Sequence, residues 1–345
     1  MSTYITTCLT ALPAPPLRPS ISAYRALSSS LLLAACCASH AVAEEPYPTK
    51  PIRLIVPFAP GGGTDVVARA IAAKLSEAFG KQVIVDNRAG GGGTLGVETA
   101  VRALPDGYTI VLISASYATN AAIYQLPYDA VRDVTAVTQI FDSATIVALH
   151  PGLPVTNVRE LIAYAKTKPR SLNYASSGMG SITHMSTELF DQLAGTQMVH
   201  VPYKGTGPAM TELLGGQIQL IFGAVASVTP HMKTGRLRGI AVTSTKRSEA
   251  APELPPIADT VPGYEAGIWY SALGPRGLPK NVVQRWQREI NRAIHLPDMK
   301  ERMAREGFEP VAGSSEALQN LLKREVDKWR TVVKKGNIRI DTRGL

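Results

Sequence analysis

Short apolar runs alternate with amphipathic helical runs along the chain from Pro51 onward. The run Ile52–Val56 is rich in β-branched residues and predicts a buried strand. Residues 65–79 then repeat an apolar residue every four positions, which predicts a helix with one buried face that ends at Gly80. Strand, helix and strand in this order form a βαβ unit, so the pattern predicts an α/β fold in which helices cover parallel sheets.

The same alternation begins again after Pro151. Asn157 and Glu160 have the spacing of a helix start, and strands and helices are then expected in turn up to residue 222. This second series predicts a second α/β lobe. After a proline-rich stretch at 252–263, the chain is expected to form one more strand and two long helices, the last near 315–335.

The first 43 residues differ from the rest in composition. They contain no acidic residue, carry Arg18 and Arg25, and run apolar into Ala-Val-Ala at 41–43, which predicts a secretory signal peptide cut after Ala43. Leu33-Ala34-Ala35-Cys36 also matches a bacterial lipobox, so lipid attachment at Cys36 is the alternative. All three cysteines lie in this leader. The mature chain is therefore expected to have no disulfide, no thiolate metal site and no cysteine nucleophile.

The net charge favours an anionic ligand. The full chain carries +9, and subtracting Arg18 and Arg25 leaves +7 for the mature protein. Much of the positive charge lies in the C-terminal helical region, where a solvated helix face explains it. No nucleic-acid motif accompanies these residues, so we do not expect nucleic acid as a partner.

Two glycine-rich loops in the first lobe have the character of an anion site. Residues 58–65 (FAPGGGTD) and 87–94 (NRAGGGGT) each join a predicted strand to a predicted helix. Glycine lets the backbone approach a ligand, and the unpaired amides at a helix start attract negative charge. The alternative is that the glycines only make tight turns and that Thr64, Asp65 and Thr94 only cap helices. Ligands of open α/β sheets bind beyond the carboxyl ends of the strands, where both loops are expected.

The second lobe contains two comparable loops, at 175–184 (ASSGMGSITH) and 203–207 (YKGTG). Ser181 is placed to cap the following helix and to leave its amides exposed. Lys204 is expected either to neutralise a carboxylate or to remain solvated. His184 is expected to be a packed, hydrogen-bonded histidine rather than a ligand contact.

Together these motifs resemble the Bug family, the substrate-binding receptors of tripartite tricarboxylate transporters. The resemblance extends from about Tyr47 to Asp341 in the family's order. The segments that carry it are 47–53 (YPTKPIR), 57–65 (PFAPGGGTD), 87–90 (NRAG), 106–109 (DGYT), 174–178 (YASSG), 201–205 (VPYKG), Trp269-Tyr270 and Gly274-Pro275. The chain departs from many members at 91–93, where it has three glycines instead of an alanine-containing loop, and we expect this to loosen the loop or widen the site.

The resemblance implies a two-lobed periplasmic-binding-protein fold of type II with the ligand cleft between the lobes. It implies a signal peptide at 1–43, a first lobe made of 44–148 and 265–345, and a second lobe at 149–264. It also implies that main-chain amides and hydroxyls hold a carboxylate. Carried over to this chain, the expected binding residues are Gly61, Gly62, Thr64, Gly90 and Gly92 in the first lobe and Ser177, Gly178, Ser181, Tyr203 and Lys204 in the second.

The function expected from this resemblance is the capture of a small carboxylate, an organic acid or an amino acid, by a monomer in the periplasm for delivery to membrane transporter subunits. One alternative is a ligand-binding partner of a signalling sensor, and another is a secreted α/β enzyme. Residues 91–96 match G-x-G-x-x-G, but the acidic residue expected about 20 positions later in a dinucleotide site is not evident. The sequence shows no catalytic motif, and the histidines of the mature chain lack metal-ligand spacing, so no catalytic residue, metal or cofactor is expected.

Overall fold

The computed structural model describes residues 47–336 and residue 338. This part of the chain contains two mixed β-sheets that are covered by helices. The strands are β1 (Ile52–Val56), β2 (Val83–Asn87), β3 (Thr109–Ser114), β4 (Val134–Ser143), β5 (Thr145–Leu149), β6 (Asn173–Ser176), β7 (Val199–Pro202), β8 (Leu220–Ala224), β9 (Arg238–Val242), β10 (Ile268–Pro275) and β11 (Phe308–Pro310). The helices are α1 (Gly63–Phe79), α2 (Thr94–Val101), α3 (Ser116–Ile123), α4 (Val158–Thr167), α5 (Ile182–Ala194), α6 (Thr206–Leu214), α7 (Val225–Lys233), α8 (Lys280–Ile294), α9 (Pro297–Arg305) and α10 (Ser315–Gly336).

The predicted pattern of strands and helices is confirmed where its periodicity is clear. Strand β1 has the predicted bounds, and the predicted apolar face of α1 is buried. This helix ends at Gly80 in the left-handed conformation, as its glycine suggested. Asn157 caps α4 by accepting a hydrogen bond from the Glu160 amide at 2.9 Å.

The expectation of parallel sheets is wrong, because both sheets are mixed. The first sheet has the order β11-β4-β10-β3-β1-β2, and β10 runs antiparallel to β3 and β4. The second has the order β7-β6-β8-β5-β9, and β5 runs antiparallel to β8 and β9. Strand β4 runs toward the second sheet and β10 returns from it, so these neighbours must point in opposite directions. Strands β1 and β2, which precede the two glycine loops, are parallel as predicted.

Two segments connect the sheets and are hydrogen-bonded to each other. Ala144 alone separates β4 from β5, and residues 243–267 lead from β9 back to β10. The hydroxyl of Thr243 accepts from the Thr145 amide at 3.0 Å and lies 2.8 Å from the Thr145 hydroxyl. The Thr243 amide donates to the Thr145 carbonyl at 2.9 Å. Both side chains are fully buried, so this threonine pair joins the two connecting segments where they pass each other.

Helix α3 was not predicted, and it lies close to the candidate site. Its sequence, SYATNAAI, has no apolar stripe that would indicate a helix with one buried face. In the structure residues 116–120 are all buried, although three of them are Ser, Thr or Asn. Strands β4, β5, β9 and β11 and helices α7 and α9 were also not predicted. The boundaries of the two lobes remain predictions, and the signal peptide and the Cys36 lipobox lie outside the described residues. None of the helices in the described range combines the length and the apolar character that a membrane crossing needs.

We predict that Thr243→Val lowers the free energy of unfolding by about 1–3 kcal/mol, because the buried amide and hydroxyl of Thr145 lose their partner. The matched control is Thr229→Val, since the Thr229 hydroxyl is buried without a partner among the described residues. The control is expected not to lower stability, because it removes a buried hydroxyl that has no partner in the described part of the chain. Urea denaturation of both variants measures the difference, and equal losses would contradict a stabilising role of the threonine pair.

Candidate ligand-binding site

A cavity between the two sheets is lined by the N-terminal ends of five helices. They are α1, α3, α5, α6 and α7, and we call this space the amide cavity. It has a volume of about 60 Å³ and is partly open to solvent. The helix-end residues in its wall are Gly62, Gly63, Thr64, Ser116, Ile182, Thr183, Gly205, Thr206, Gly207, Pro208 and Ala224.

Four of these five helix ends have no side chain that caps them. Helices α1, α3, α6 and α7 begin after Gly62, Ala115, Gly205 and Ala224, and no side chain accepts from their first amides. Each helix end carries roughly half a positive elementary charge from the aligned peptide dipoles. The first amides of a helix also lack a partner inside the helix. The convergence of these helix N-termini therefore gives the cavity a positive potential that comes from backbone groups and attracts an anion.

The loop before α1 is held by a network around Asp65, whose side chain is buried. Its carboxylate accepts from the Gly61 amide at 3.0 Å, from Arg69 at 2.9 Å and from Asn87 at 3.0 Å. Asn87 also donates to the Phe58 carbonyl at 3.0 Å, which joins this loop to the end of β2. Burial raises the pKa of Asp65, but these hydrogen bonds outweigh burial and hold its pKa below the usual range. The Asp65 charge is therefore neutralised outside the cavity.

The loop before α5 is held by hydroxyl groups. Ser181 caps α5, as predicted: its hydroxyl accepts from the His184 amide at 3.3 Å and donates to the Gly178 carbonyl at 2.6 Å. The Thr183 hydroxyl accepts from the Ser177 amide at 2.9 Å. These bonds satisfy the loop from within, so its shape does not depend on a ligand.

Helix α3 joins the two halves of the site. The Ser116 hydroxyl accepts from the Ile182 amide at 3.0 Å, which brings the starts of α3 and α5 together. Thr119 donates to the Gly180 carbonyl at 2.6 Å, and Asn120 donates to the Gly92 carbonyl at 2.9 Å. One short helix thus contacts both the loop before α5 and the glycine loop after β2.

A second cavity adjoins the amide cavity and shares Phe58, Ala59, Ser177 and Lys204 with it. We call it the glycine-loop cavity, because residues 89–93 form one wall, and its volume is about 280 Å³. Within this loop Gly92 has φ +65°, and a Cβ there would lie 2.6 Å from the Met179 carbonyl oxygen. Glycine at 92 therefore allows close approach of the 178–180 backbone, which differs from our expectation that the extra glycine loosens the loop or widens the site.

Lys204 is the one charged residue in the walls of both cavities. It is exposed and makes no ion pair or hydrogen bond with any residue in the described ranges. Its ammonium group is therefore free to meet an anion, although solvent screens it. Among residues 47–336 and 338, no group of three or more histidine, cysteine, aspartate or glutamate side chains is placed to bind a metal ion.

Comparison with known proteins identifies the family. Residues 67–338 match the TctC family model, described as "Tripartite tricarboxylate transporter family receptor". The chain belongs to this receptor family. The receptor is 33% identical to protein BugT of Bordetella pertussis over 297 residues, which cover 85% of this chain and 91% of BugT.

Two solved structures also resemble the receptor over nearly their whole length. R. palustris Rpa4515 with adipate superimposes with a TM-score of 0.81 at 35% identity, covering 85% of this chain and 99% of that one. The periplasmic binding protein BugD gives a TM-score of 0.80 at 33% identity, with the same coverage of both chains. The predicted family and the predicted α/β periplasmic-binding-protein fold are therefore confirmed, and the receptor is a binding protein rather than an enzyme.

Most of the sequence-predicted site residues lie in the walls of the two cavities. The amide cavity is lined by Gly62, Thr64, Ser177 and Lys204, and the glycine-loop cavity is lined by Gly90, Gly92, Ser177, Gly178, Tyr203 and Lys204. Gly61 and Ser181 line neither cavity. The Gly61 amide is bonded to Asp65, and Ser181 is fully buried as the cap of α5. The ligand contacts of all ten residues remain predictions.

Several residues in the amide cavity were not expected. Ser114 and Ser116 line the cavity at the end of β3. Small hydroxyl residues at the carboxyl end of a predicted strand are a sequence signal for a ligand-binding site. Thr183 takes the place in the wall that was expected for Ser181. Tyr270 reaches the cavity from the middle of the apolar strand β10, and nothing in the local sequence distinguishes it from a core residue.

Two stacked histidines form hydrogen bonds to the loop before α5. The rings of His184 and His200 lie 3.9 Å apart, and both are largely buried. His200 Nε2 is 2.6 Å from the Ser176 hydroxyl, and His184 Nδ1 accepts from the Gly180 amide at 3.2 Å. Burial lowers the pKa of His184 to about 3, with help from His200, and burial lowers the pKa of His200 to about 4. His184 is thus packed and hydrogen-bonded, as expected, and both rings are neutral at pH 7.

We predict that acid destabilises the receptor through these histidines. The unfolded chain takes up protons near the ordinary histidine pKa of about 6.5, whereas the folded chain does so only near 3 to 4. The free energy of unfolding should therefore fall as the pH drops below about 6.5, by on the order of 2 kcal/mol per histidine at pH 5.

The pH dependence of urea unfolding for wild type and His200→Gln measures this effect. Burial raises the pKa of Glu188, whose Oε1 lies 3.7 Å from His184 Nε2, and the pKa of Asp191 on the same helix. These carboxylates take up protons in the folded state as the pH falls, which opposes the loss. The comparison with His200→Gln separates the contribution of His200 from theirs. The variant should lose less stability between pH 7 and pH 5 than wild type does, and parallel curves would contradict the prediction.

Proposed function

We propose that this receptor captures a small carboxylate in the amide cavity and presents it, from the periplasm, to the membrane subunits of a tripartite tricarboxylate-type transporter. The observation that carries the proposal is the convergence of five helix N-termini, four of them uncapped, on one cavity. Such a cavity stabilises a carboxylate through amide hydrogen bonds and helix dipoles, and Lys204 is the one charged side chain in its wall. The adipate in the similar R. palustris structure supports a carboxylate as the ligand class.

The two sheets suggest how capture takes place. We propose that residues 44–148 and 265–345 form one lobe, that residues 149–264 form the other, and that the monomer closes about the segments joined by Thr145 and Thr243. Gly62, Thr64 and Gly63 then present amides from the first lobe, while Ser177 and Lys204 approach from the second. Closure of two lobes around a ligand is a common motion in binding proteins. A signalling sensor that recognises the closed form is the alternative partner.

A thermal-shift screen of mono-, di- and tricarboxylates against the purified mature protein tests the ligand class. A ligand present at 100 times its Kd should stabilise the folded protein by about 2.7 kcal/mol. The ligand is also recovered after incubation, and it should be chemically unchanged, because a receptor binds without turnover. A screen in which every carboxylate leaves the melting temperature unchanged would contradict the proposal.

We predict that Gly62→Val weakens carboxylate binding by about tenfold or more, since steric loss of one good hydrogen-bonded contact exceeds about 1.4 kcal/mol. Gly62 has φ −86° and ψ 168°, which valine also adopts, and a Cβ there meets nothing within 4 Å. The valine side chain should therefore enter the cavity without straining the backbone. Gly215→Val is the control, because Gly215 has φ −80° and ψ −3°, is exposed, and lies outside both cavities and both connecting segments.

Calorimetric titration of these variants, together with Lys204→Ala, separates the roles of amides and lysine. Because Lys204 is exposed, we expect its removal to weaken binding by less than about tenfold and to reduce the salt dependence of Kd. Wild-type affinity in Gly62→Val would remove the loop before α1 from the site. Wild-type affinity and salt dependence in Lys204→Ala would remove only the lysine.

We predict that the mature receptor begins at Glu44 and is free in the periplasm. The Ala-Val-Ala sequence at 41–43 motivates this position, and the periplasmic location of BugD supports export. Intact-mass measurement of the protein isolated from its native membrane and periplasmic fractions tests it. A lipid-modified Cys36 at the N-terminus in the membrane fraction would establish the lipobox alternative instead.

A further inference from the structure

Two hydroxyl groups stand side by side in the wall of the amide cavity. Tyr270 on β10 lies directly opposite Ser114 on the antiparallel strand β3, so both side chains are on the same face of the first sheet. Tyr270 is 2% exposed and Ser114 is 5% exposed, and both line the cavity. Neither hydroxyl makes a hydrogen bond with a residue in the part of the chain that the structure describes.

The Tyr270 hydroxyl lies beside the first turn of α1. A Cβ built on Gly63 would be 2.4 Å from this oxygen, so the phenol occupies the space that glycine leaves free at 63. The Gly63 and Thr64 amides are among those that we expect to hold the carboxylate. Burial raises the pKa of Tyr270 above its ordinary value, so the phenol stays protonated and is able to donate or accept a hydrogen bond.

Buried hydroxyls without a protein partner discriminate among ligands. Hydroxyls that line a solvent-accessible cavity bind water, and a ligand that displaces this water must replace its hydrogen bonds. An unsubstituted methylene next to the carboxylate would leave the hydroxyls unpaired, and the loss of affinity follows from their desolvation. A ligand with an oxygen at that position restores the hydrogen bonds.

The charge in the cavity decides which polar substituent fits. The walls contain no aspartate or glutamate, and Lys204 and the helix N-termini contribute only positive potential. An ammonium group beside the carboxylate would meet this potential without a counter-charge. A neutral hydroxyl or oxo group does not have this penalty.

We infer that Tyr270 and Ser114 are specificity-determining residues that bind a hydroxyl or oxo oxygen on the carbon next to the ligand's carboxylate. The inference rests on the proposed function, because it places the carboxylate on the N-terminus of α1. Tyr270 and Ser114 select 2-hydroxy and 2-oxo acids from the carboxylates that the amides alone would accept. The positive potential of the cavity disfavours 2-amino acids.

Titration calorimetry with matched ligands tests the inference. The tightest-binding carbon skeleton of the carboxylate screen is compared in its unsubstituted, 2-hydroxy and 2-amino forms. We expect the 2-hydroxy acid to bind about tenfold or more tightly than the unsubstituted acid, and the 2-amino acid to bind most weakly. In Tyr270→Phe and Ser114→Ala the preference for the 2-hydroxy acid over the unsubstituted acid should shrink by about fivefold or more, while the unsubstituted acid binds as tightly as to wild type or more tightly.

Ser271→Ala is the control variant. Ser271 follows Tyr270 in β10, is fully buried, and has a hydroxyl without a partner among the described residues, but it does not line the cavity. Its preference for the 2-hydroxy acid should equal that of wild type. Thermal unfolding of each variant establishes that it is folded, and Ser114→Ala alone carries the test should Tyr270→Phe fail to fold.

The possible results separate this inference from the proposed function. Absence of binding by every carboxylate would overturn the proposed function. Carboxylate binding with equal affinity for the unsubstituted and 2-hydroxy forms, tightest binding of the 2-amino form, or an unchanged preference in every folded cavity variant would overturn the inference alone. A preference that falls in Tyr270→Phe or Ser114→Ala and persists in Ser271→Ala supports it.

Discussion

Helix α3 contacts both sides of the site through hydrogen bonds from its first residues. Ser116 binds the Ile182 amide, Thr119 binds the Gly180 carbonyl and Asn120 binds the Gly92 carbonyl. These bonds place the start of α5 and the loop before it against the helix starts of the first sheet. The amide cavity exists only in this arrangement, because its walls come from both sheets. The cost is visible in Asn120, whose Oδ1 atom is buried without a partner among the described residues.

The wall of the amide cavity consists largely of the first residues of helices, and Lys204 is the one charged side chain in it. Asp65 is close to the start of α1, but Arg69 and Asn87 bind its carboxylate, so its charge does not cancel the helix dipole at the cavity. Lys204 adds a positive charge at the exposed edge, where solvent weakens it. Amide donors recognise any carboxylate in the same way. Discrimination among carboxylates must therefore come from the remaining wall, which includes Tyr270 and Ser114 on the first sheet.

Both loops that face the ligand space are ordered by their own hydrogen bonds. The loop before α1 depends on Asp65 and Asn87, and the loop before α5 depends on Ser181, Thr183 and the neutral ring of His200. A site whose donors are already in place loses little conformational entropy when it binds. Neutral histidines suit this role, because a protonated ring beneath the loop would require a counter-charge.

The sequence by itself determined the local elements and the kind of site. Apolar periodicity predicted β1 and α1, capping residues predicted the starts of α4 and α5, and the glycine loops indicated an anion site. These features depend on neighbours a few positions apart. The direction of β5 and β10, the burial of α3 and the place of Tyr270 beside Gly63 were decided by tertiary structure. Tyr270 meets Gly63 across more than 200 positions of sequence, and only the pairing of β10 with β3 brings the phenol to the cavity, so no local pattern distinguishes it from a core residue.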